Sequence, residues 1–516
     1  MGDDSHNMND GMHFKWWQYA ILALLLIAGF FAIYKVHWSY DDYFINPHSS
    51  EFVIFGNSTY YPFPFHADEW THLAQAQYIV AEHRIARVNP YLRDVPHRDL
   101  ESGFHIFLAS FLALTGLDPV MSYQYLAAIF MVITVLSLFW FLYVVTKNYF
   151  ISILAPAFLL LIKNNINLMG LWFFLPMTFS LFIIFMFFAS YFSKGNIRYL
   201  SIIFFIASII AYPIASVIIV IAIASYEALN AIIHKREELL EKKYWKYYAS
   251  AIIALTLFLT LYFIGELSSF PLIFKYGWTV FFEHNYMPWE MYGIGALILC
   301  VIGLAFVIYK RMNKIFWILP LILVIPVLMY SFFRFSILIP YQRAFFFLLI
   351  TLAILSAIGT YYLYRMLNST IKNRWLPISI ITIIIAATFI TGFASYYHVD
   401  DERFRLVHYM EADDYQAMSW IKQNYGSDTR IMGDIFTSFT IYPLTGMQAV
   451  AVAPSNLEAG NLDTVQGFFN SQDCNSMASY MSSGRADLVY TSSIISCPQF
   501  KNVYSRNNIY IYEYSN

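Results

Sequence analysis

Read for polarity alone, the chain sets long apolar runs between short charged gaps up to residue 396 and then turns polar. Apolar runs of roughly 17–25 residues cross a bilayer as helices. Such runs place spans at 16–34, 122–145, 149–162, 168–193, 199–212, 214–232, 248–264, 291–309, 315–333, 344–363 and 376–396. The 199–232 stretch is one apolar block broken at Tyr212-Pro213, where proline removes a backbone donor and kinks the chain. The shorter run 104–117 ("FHIFLASFLALTGL") is expected to lie in the interface as an outer-face helix, because counting it as a span breaks the alternation of basic loops.

Lys and Arg in short loops mark the cytoplasmic side. Lys194 and Arg198, the run "HKREELLEKKYWK" at 234–246, Lys310, Arg311 and Lys314, and Arg365, Lys372 and Arg374 all fall on one side when the spans alternate. The N-terminus is then cytoplasmic, and 35–121 and 397–516 lie outside. The first apolar run lacks a small-residue cleavage site and is expected to stay as an anchor. This is the pattern of a polytopic α-helical membrane protein of about eleven spans, in a plasma or ER-type membrane.

Residues 397–516 read as a separate extracytoplasmic α/β domain behind a membrane domain of 1–396. "DDYQAMSWIKQNYG" predicts a helix closed by Gly426, and "CNSMASYMSSG" another. "TRIMGDI", "MQAVAVAP", "ADLVYTS" and "NNIYIYEY" predict strands. No internal repeat appears. Composition agrees with a membrane protein: 516 residues, 59% hydrophobic and only 12% charged, where a soluble domain is nearer one quarter charged. The formal net charge of −2 says nothing about nucleic acid, for which the distribution of charge matters more. Three cysteines in no metal-type spacing argue against structural zinc or an iron–sulfur cluster, while Cys474 and Cys497 can pair in an oxidising compartment. The Asn57-Ser58-Thr59 sequon lies on the expected outer side.

The candidate chemistry gathers outside. "FPFHADEWTHLAQAQYIVAEHRI", residues 63–85, predicts an amphipathic helix lying on the outer surface with Asp68 and Glu69 in its first turn, behind His66. Acids at a helix N-terminus also occur simply as caps. A zinc-protease site is excluded, because Asp68 stands where HExxH needs a histidine, leaving His72 alone. The same loop adds Asp41, Asp42, Arg93, Asp94, His97, Arg98, Asp99, Glu101 and His105. Lys163 opens the next outer loop, Glu283 and His284 another, and Arg334 and Arg343 bracket "FSILIPYQ". An outer-face arginine pair suits a lipid-phosphate head group through its bidentate fork; the alternative is snorkelling to the interface.

With its acidic first outer loop, the helix after it, "YQRAFFFL" late in the membrane part and an outward α/β domain, the chain resembles the GT-C superfamily of polytopic glycosyltransferases that use polyprenyl-phosphate sugars. Asp68-Glu69-Trp70 leading into "AQYIVAEHRI", and the "TKNYF" turn, look like the catalytic subunit of oligosaccharyltransferase. Two motifs of that subunit are missing. "RIMGDIFTSFTIYPLTG" stands in place of its WWDYG, and "KNNINLMGLWFFLP" holds no carboxylate where it has a D-x-E. A monosaccharide transferase of the protein O-mannosyltransferase type fits better, and a divalent metal, though open to the superfamily, lacks the second acidic motif.

The resemblance implies an inverting transfer from a polyprenyl-phosphate donor to a protein, lipid or glycan acceptor on the extracytoplasmic face, with no nucleic acid as partner. Asp68 is then the base that takes the acceptor proton, and Glu69 an alternative base or sugar ligand. Arg343, then Arg334, with Lys163 as helper, would hold the departing phosphate; His66, Asp42, Asp94, His97 and His284 are accessory candidates. Transfer of a whole lipid-linked glycan is the neighbouring alternative. A transporter or lipid flippase is the different one, and it predicts repeats and charges near the bilayer midplane.

Overall fold

The computed structural model describes residues 15–39, 43–45, 52–54, 60–97, 99–164, 168, 170–233, 286–334, 336, 339–373, 375–394, 409–453 and 459–515. The span expected at 248–264, the 234–246 basic run, Asp41, Asp42, Arg98, Glu283, His284, Arg374 and the 57–59 sequon lie outside them. The membrane part begins with α1 (Trp16–Tyr34), a one-turn α2 (Val36–Ser39) and a short hairpin of β1 (Tyr43–Ile45) and β2 (Phe52–Ile54). Two first-loop helices follow, α3 (Ala67–Glu82) and α4 (Ser102–Thr115). Then come α5 (Pro119–Thr146), α6 (Tyr149–Leu159), α7 (Pro176–Phe192), α8 (Leu200–Ala211) and α9 (Pro213–Ile233). After the undescribed segment stand α10 (Pro288–Tyr292), α11 (Ile294–Tyr309), α12 (Ile315–Phe333), α13 (Tyr341–Thr370) and α14 (Trp375–Ala394).

Among the described residues, six helices are long and apolar enough to cross a membrane: α1, α5, α9, α12, α13 and α14. The protein is an integral membrane protein. Its centre is α13, almost wholly buried along its N-terminal two thirds, from Tyr341 to Thr360. It crosses α11 at a contact that only glycine permits. A Cβ on Gly303 would stand 1.9 Å from the Leu355 carbonyl oxygen, and one on Gly359 2.0 Å from that of Leu299. In lipid, where apolar side chains gain little by leaving hydrocarbon, such close backbone approach is what holds helices together.

Three expectations are corrected. The helix 63–85 does not lie on the outer surface: Trp70, Leu73, Ala74 and Ala76 of α3 are fully buried, because α4 covers one side and the C-terminal domain the other. The span drawn at 168–193 is helical only from Pro176, which sits in the first turn, where its missing N–H is not needed. The block 199–232 does break at Tyr212, whose backbone is extended (φ −160°, ψ 93°), and α8, with the 3₁₀ turn Gly195–Tyr199 that leads into it, makes a shorter apolar helix than the six above.

α4 is two-sided. Phe104, Leu108 and Leu112 pack inward while Ile106 and Leu114 are exposed. Gly103 lets it press on the end of α8, since a Cβ there would meet the Ile210 backbone at 2.9 Å.

The C-terminal domain comprises α15 (Ala412–Asn424), β3 (Arg430–Met432), α16 (Ser438–Thr445), β4 (Gln448–Ala449), α17 (Leu462–Asn470), α18 (Cys474–Gly484), β5 (Leu488–Thr491), β6 (Phe500–Arg506) and β7 (Ile509–Tyr514). Its sheet runs β4-β3-β5-β7-β6, parallel across the first three and antiparallel at β7. Cys474 and Cys497 are paired, closing a separation of 23 residues. A loop of that size stabilises by about 3 kcal/mol. The domain grips the first loop: Tyr91 Oη donates to the Phe439 carbonyl (2.9 Å) and the Ala449 N–H to the Tyr91 carbonyl (2.9 Å). Arg430 pairs with Asp94 at 3.7 Å.

Candidate active site

The first turn of α3 treats its two neighbouring acids differently. His66 is the N-cap, in extended backbone, and its Nδ1 accepts the Asp68 N–H at 3.0 Å. Glu69 closes the capping box: its Oε2 accepts the Phe65 (2.9 Å) and His66 (3.1 Å) N–H groups. Its Oε1 accepts the Phe174 N–H at 2.9 Å, so Glu69 ties the first loop to the second. Burial pushes its carboxyl up to about 8 against the pull of those three donors and with a small push from Asp68. The Asp68 carboxylate accepts no hydrogen bond from the described residues. His66 Nδ1 stands 3.9 Å from it, and the residue is 8% exposed. A carboxylate held in place yet left without donors is available for chemistry.

Opposite it are groups from three other segments. Glu101 caps α4 and His105 lies one turn further in, the i,i+4 spacing that puts both on one face. Burial pushes Glu101 up to about 8, the Asp99 and Asp68 carboxylates add to this, and Arg343 opposes it. His105 Nε2 meets His72 Nδ1 at 2.8 Å and its Nδ1 meets Asp99 Oδ2 at 2.8 Å. Burial holds the His72 imidazole well below its ordinary value, helped by His105, Arg343 and His66. Arg343, in the first turn of α13, is half-buried with Nη1 3.7 Å from Met177 Sδ. Its charge acts on His72, Glu101 and Tyr212, while that of Asp68 acts on Glu101, Tyr212 and Tyr409. The two charges therefore act on two side chains in common, Glu101 and Tyr212. Tyr212, at the break between α8 and α9, is buried with a hydroxyl that has no hydrogen-bond partner among the described residues.

Of the residues expected from sequence, Asp68, Glu69, His66 and Arg343 come together. His97 stands just behind, its Nε2 2.9 Å from the Gln75 amide nitrogen and its ring within reach of the Asp99 charge. Asp94 is exposed and turned to Arg430 of the C-terminal domain. Arg334 caps α12 in left-handed backbone (φ 58°), exposed, with its guanidinium over the Tyr330 ring. Lys163 is half-buried, its N–H bound to the Met291 carbonyl. Asp42 and His284 are outside the described residues.

Sequence reading did not single out Glu101, His72, His105, Asp99 or Tyr212 for this site. The signals were there in part: Asp68–His72 and Glu101–His105 share i,i+4 spacing, and Tyr212 marks a broken apolar block.

No family model and no curated protein matches the sequence, but solved structures do. One is the oligosaccharyltransferase of Archaeoglobus fulgidus tethered with an acceptor peptide containing the NVT sequon. It superposes with a TM-score of 0.57 at 11% identity over 92% of this chain and 69% of that one. The oligosaccharyltransferase AglB from the same organism, in complex with an inhibitory peptide and a dolichol-phosphate, gives 0.55 at 10% over 92% and 69%. ArnT from Cupriavidus metallidurans gives 0.52 at 10% over 96% and 97%.

The chain has the GT-C fold. The second loop brings the Phe174 N–H to Glu69.

Proposed function

We propose that the chain is an inverting glycosyltransferase that moves a sugar from a polyprenyl-phosphate donor to an acceptor hydroxyl on the extracytoplasmic face. The observation that carries this is a buried Asp68 carboxylate that accepts no hydrogen bond from the described residues, while its charge and that of the Arg343 guanidinium both act on Tyr212 and Glu101. Asp68 takes the acceptor proton while the acceptor oxygen bonds to the anomeric carbon. The anomeric C–O bond breaks on the opposite face, and its electron pair leaves with the lipid phosphate. Arg343 stabilises the charge that develops there through a bidentate fork, a role we assign to it ahead of the exposed Arg334 and of Lys163. The Tyr212 hydroxyl supplies a further donor to the phosphate or the sugar. Glu69, with both oxygens occupied, positions Asp68 rather than reacting.

The AglB neighbour bound to dolichol-phosphate supports a lipid phosphate as leaving group. Helix polarity supports the expected orientation. Met177, at the start of α7, faces Arg343, whereas Tyr191, near its end, bonds Glu227 of α9 beneath the Arg198 guanidinium, and Lys314 bonds Asn230. The basic ends thus gather roughly 20 Å along α7 from the acidic cluster, where snorkelling lysines and arginines mark the cytoplasmic side.

Proteoliposomes holding the purified chain and a panel of radiolabelled polyprenyl-phosphate sugars test the reading. The expected result is release of polyprenyl phosphate and a product of inverted anomeric configuration. Donor translocation without cleavage would overturn it in favour of a flippase, and a retained anomer would overturn the one-base mechanism.

A further inference from the structure

The C-terminal domain holds the first turn of α3 through a side chain that the transfer mechanism leaves unused, Tyr91. The reason lies in α16. Residue 443 of that helix is proline, so the Phe439 carbonyl has no N–H four residues on to receive. A buried carbonyl left in that state is costly. The Tyr91 hydroxyl reaches in from the first loop and donates to it at 2.9 Å. The same hydroxyl stands 3.2 Å from the Trp70 carbonyl, at the end of the first turn of α3. Tyr91 and Trp70 are fully buried, and Phe439 is 1% exposed. We propose that Tyr91 is a positioning residue for Asp68, through which the C-terminal domain sets the turn that carries the carboxylate. The kinetic consequence rests on the transferase reading; the link itself does not.

The loop around Tyr91 keeps it in place. A bridge between Val88 and Pro96 closes the loop, and Asn89 Oδ1 accepts the Tyr91 N–H at 3.0 Å. The Tyr91 carbonyl takes the Ala449 N–H at 2.9 Å, which ties the loop to β4. Two residues on, Arg93 stands in left-handed backbone (φ 51°) and donates to the Gly446 carbonyl at 3.3 Å. Gly446 caps the C-terminal end of α16, where the helix dipole favours a cation. The loop therefore grips α16 near both ends. Burial holds the Tyr91 phenol well above its ordinary value, with the neighbouring Tyr442 adding to this, so the O–H stays a donor through the neutral range.

One hydroxyl proton shared between two carbonyls joins α3 to α16 by a single three-centre bond. Asp68 stands two residues before Trp70, so a shift of this turn moves its carboxylate. Phe439 also meets the Tyr409 ring edge-on, with centroids 5.6 Å apart, and the Asp68 charge acts on Tyr409. The helix that receives Tyr91 thus stands one ring away from a group that feels the carboxylate.

Tyr91→Phe keeps the ring and removes the link. In the full-length chain it should lower kcat about tenfold and leave the donor KM within about twofold, because a small misplacement of a reacting group slows the chemical step. Hydrogen exchange across residues 67–74 should quicken about fivefold, as for the loss of one hydrogen bond. Pro443→Ala added to Tyr91→Phe separates positioning from stability. It gives the Phe439 carbonyl a helical donor again but supplies no bond to Trp70. The double variant should regain thermal midpoint while keeping the loss in kcat and the faster exchange. Recovery of kcat together with the midpoint overturns the proposal, as does wild-type kcat and exchange in Tyr91→Phe. If the wild-type chain turns over no donor, the transferase reading falls by itself, and exchange in the two variants still decides whether Tyr91 holds the turn.

Discussion

Two helices of this chain start almost alike, at His66-Ala67-Asp68-Glu69-Trp70 and at Glu411-Ala412-Asp413-Asp414-Tyr415. Both close a capping box through the third helical residue, Glu69 in α3 and Asp414 in α15. Both third residues are spent on structure. Glu69 takes three backbone N–H groups, and Asp414 takes the Glu411 N–H and the buried Tyr490 hydroxyl. The second residues part company. Asp413, a third exposed, is answered by Arg506 at 3.4 Å and Asn507 at 2.9 Å. Asp68 is closed in, its charge acts on Glu101 and Tyr212, and no donor among the described residues answers it. The difference arises from what packs against each helix. α15 packs against β6, β7 and α16, whereas α3 packs against α4 and α16, and the Asp68 charge acts on Glu101 and Tyr212.

Changes at Arg343 should produce the largest contrast after Asp68 itself. Arg343→Ala should slow transfer by about 10²–10³-fold, as for loss of one charge-stabilising group, and Arg343→Lys by at least about tenfold. Arg334→Ala should stay within roughly threefold, since its guanidinium stacks on Tyr330 at the exposed end of α12. Initial rates at matched protein levels measure both.

Glu69→Gln tests the structural half of the pair. It sets an amide N–H₂ against a backbone N–H and should cost about 1–3 kcal/mol, read as a lower thermal midpoint. Its pH dependence has a definite sign. Burial holds Glu69 at about 8 against 4.5 in the unfolded chain, so the folded state keeps a proton that the unfolded one loses. Stability from this group is present below pH 4.5, falls by about 1.4 kcal/mol per pH unit up to pH 8, and levels off above. In Glu69→Gln that slope should vanish from the thermal-midpoint profile.

Gly103→Ala drives a methyl into the Ile210 backbone and should cost about 1–3 kcal/mol. It should also slow transfer several-fold, because it shifts Glu101 away from Tyr212. Asp413→Asn should be the mildest, under about 1 kcal/mol with unchanged transfer, as for a partly exposed ion pair.

Much of the bundle was legible because apolar length is a direct constraint in lipid. Ten of the eleven expected spans fall on described helices, and Pro213 announced the break at Tyr212. What escaped notice depended on neighbours. α16, "SFTIYPLT", is buried on all sides and carries Pro443, so neither periodicity nor propensity marks it. β6 shows no alternation, since only Phe500 of its residues is buried. Asp68 and Arg343 could be named from sequence because ionised groups beside a membrane are costly. Glu101, His105 and Tyr212 could not, since their meeting with His72 and Asp68 exists only once α4 has docked between α3 and α8.

The most direct test is the initial rate of transfer from a radiolabelled polyprenyl-phosphate sugar by Asp68→Asn beside Asp413→Asn, in the same proteoliposomes and at equal amounts of folded protein. The account predicts a loss of about 10²–10⁴-fold in the first and none in the second, the range expected for removing a general base. Transfer by Asp68→Asn at near the wild-type rate would contradict it.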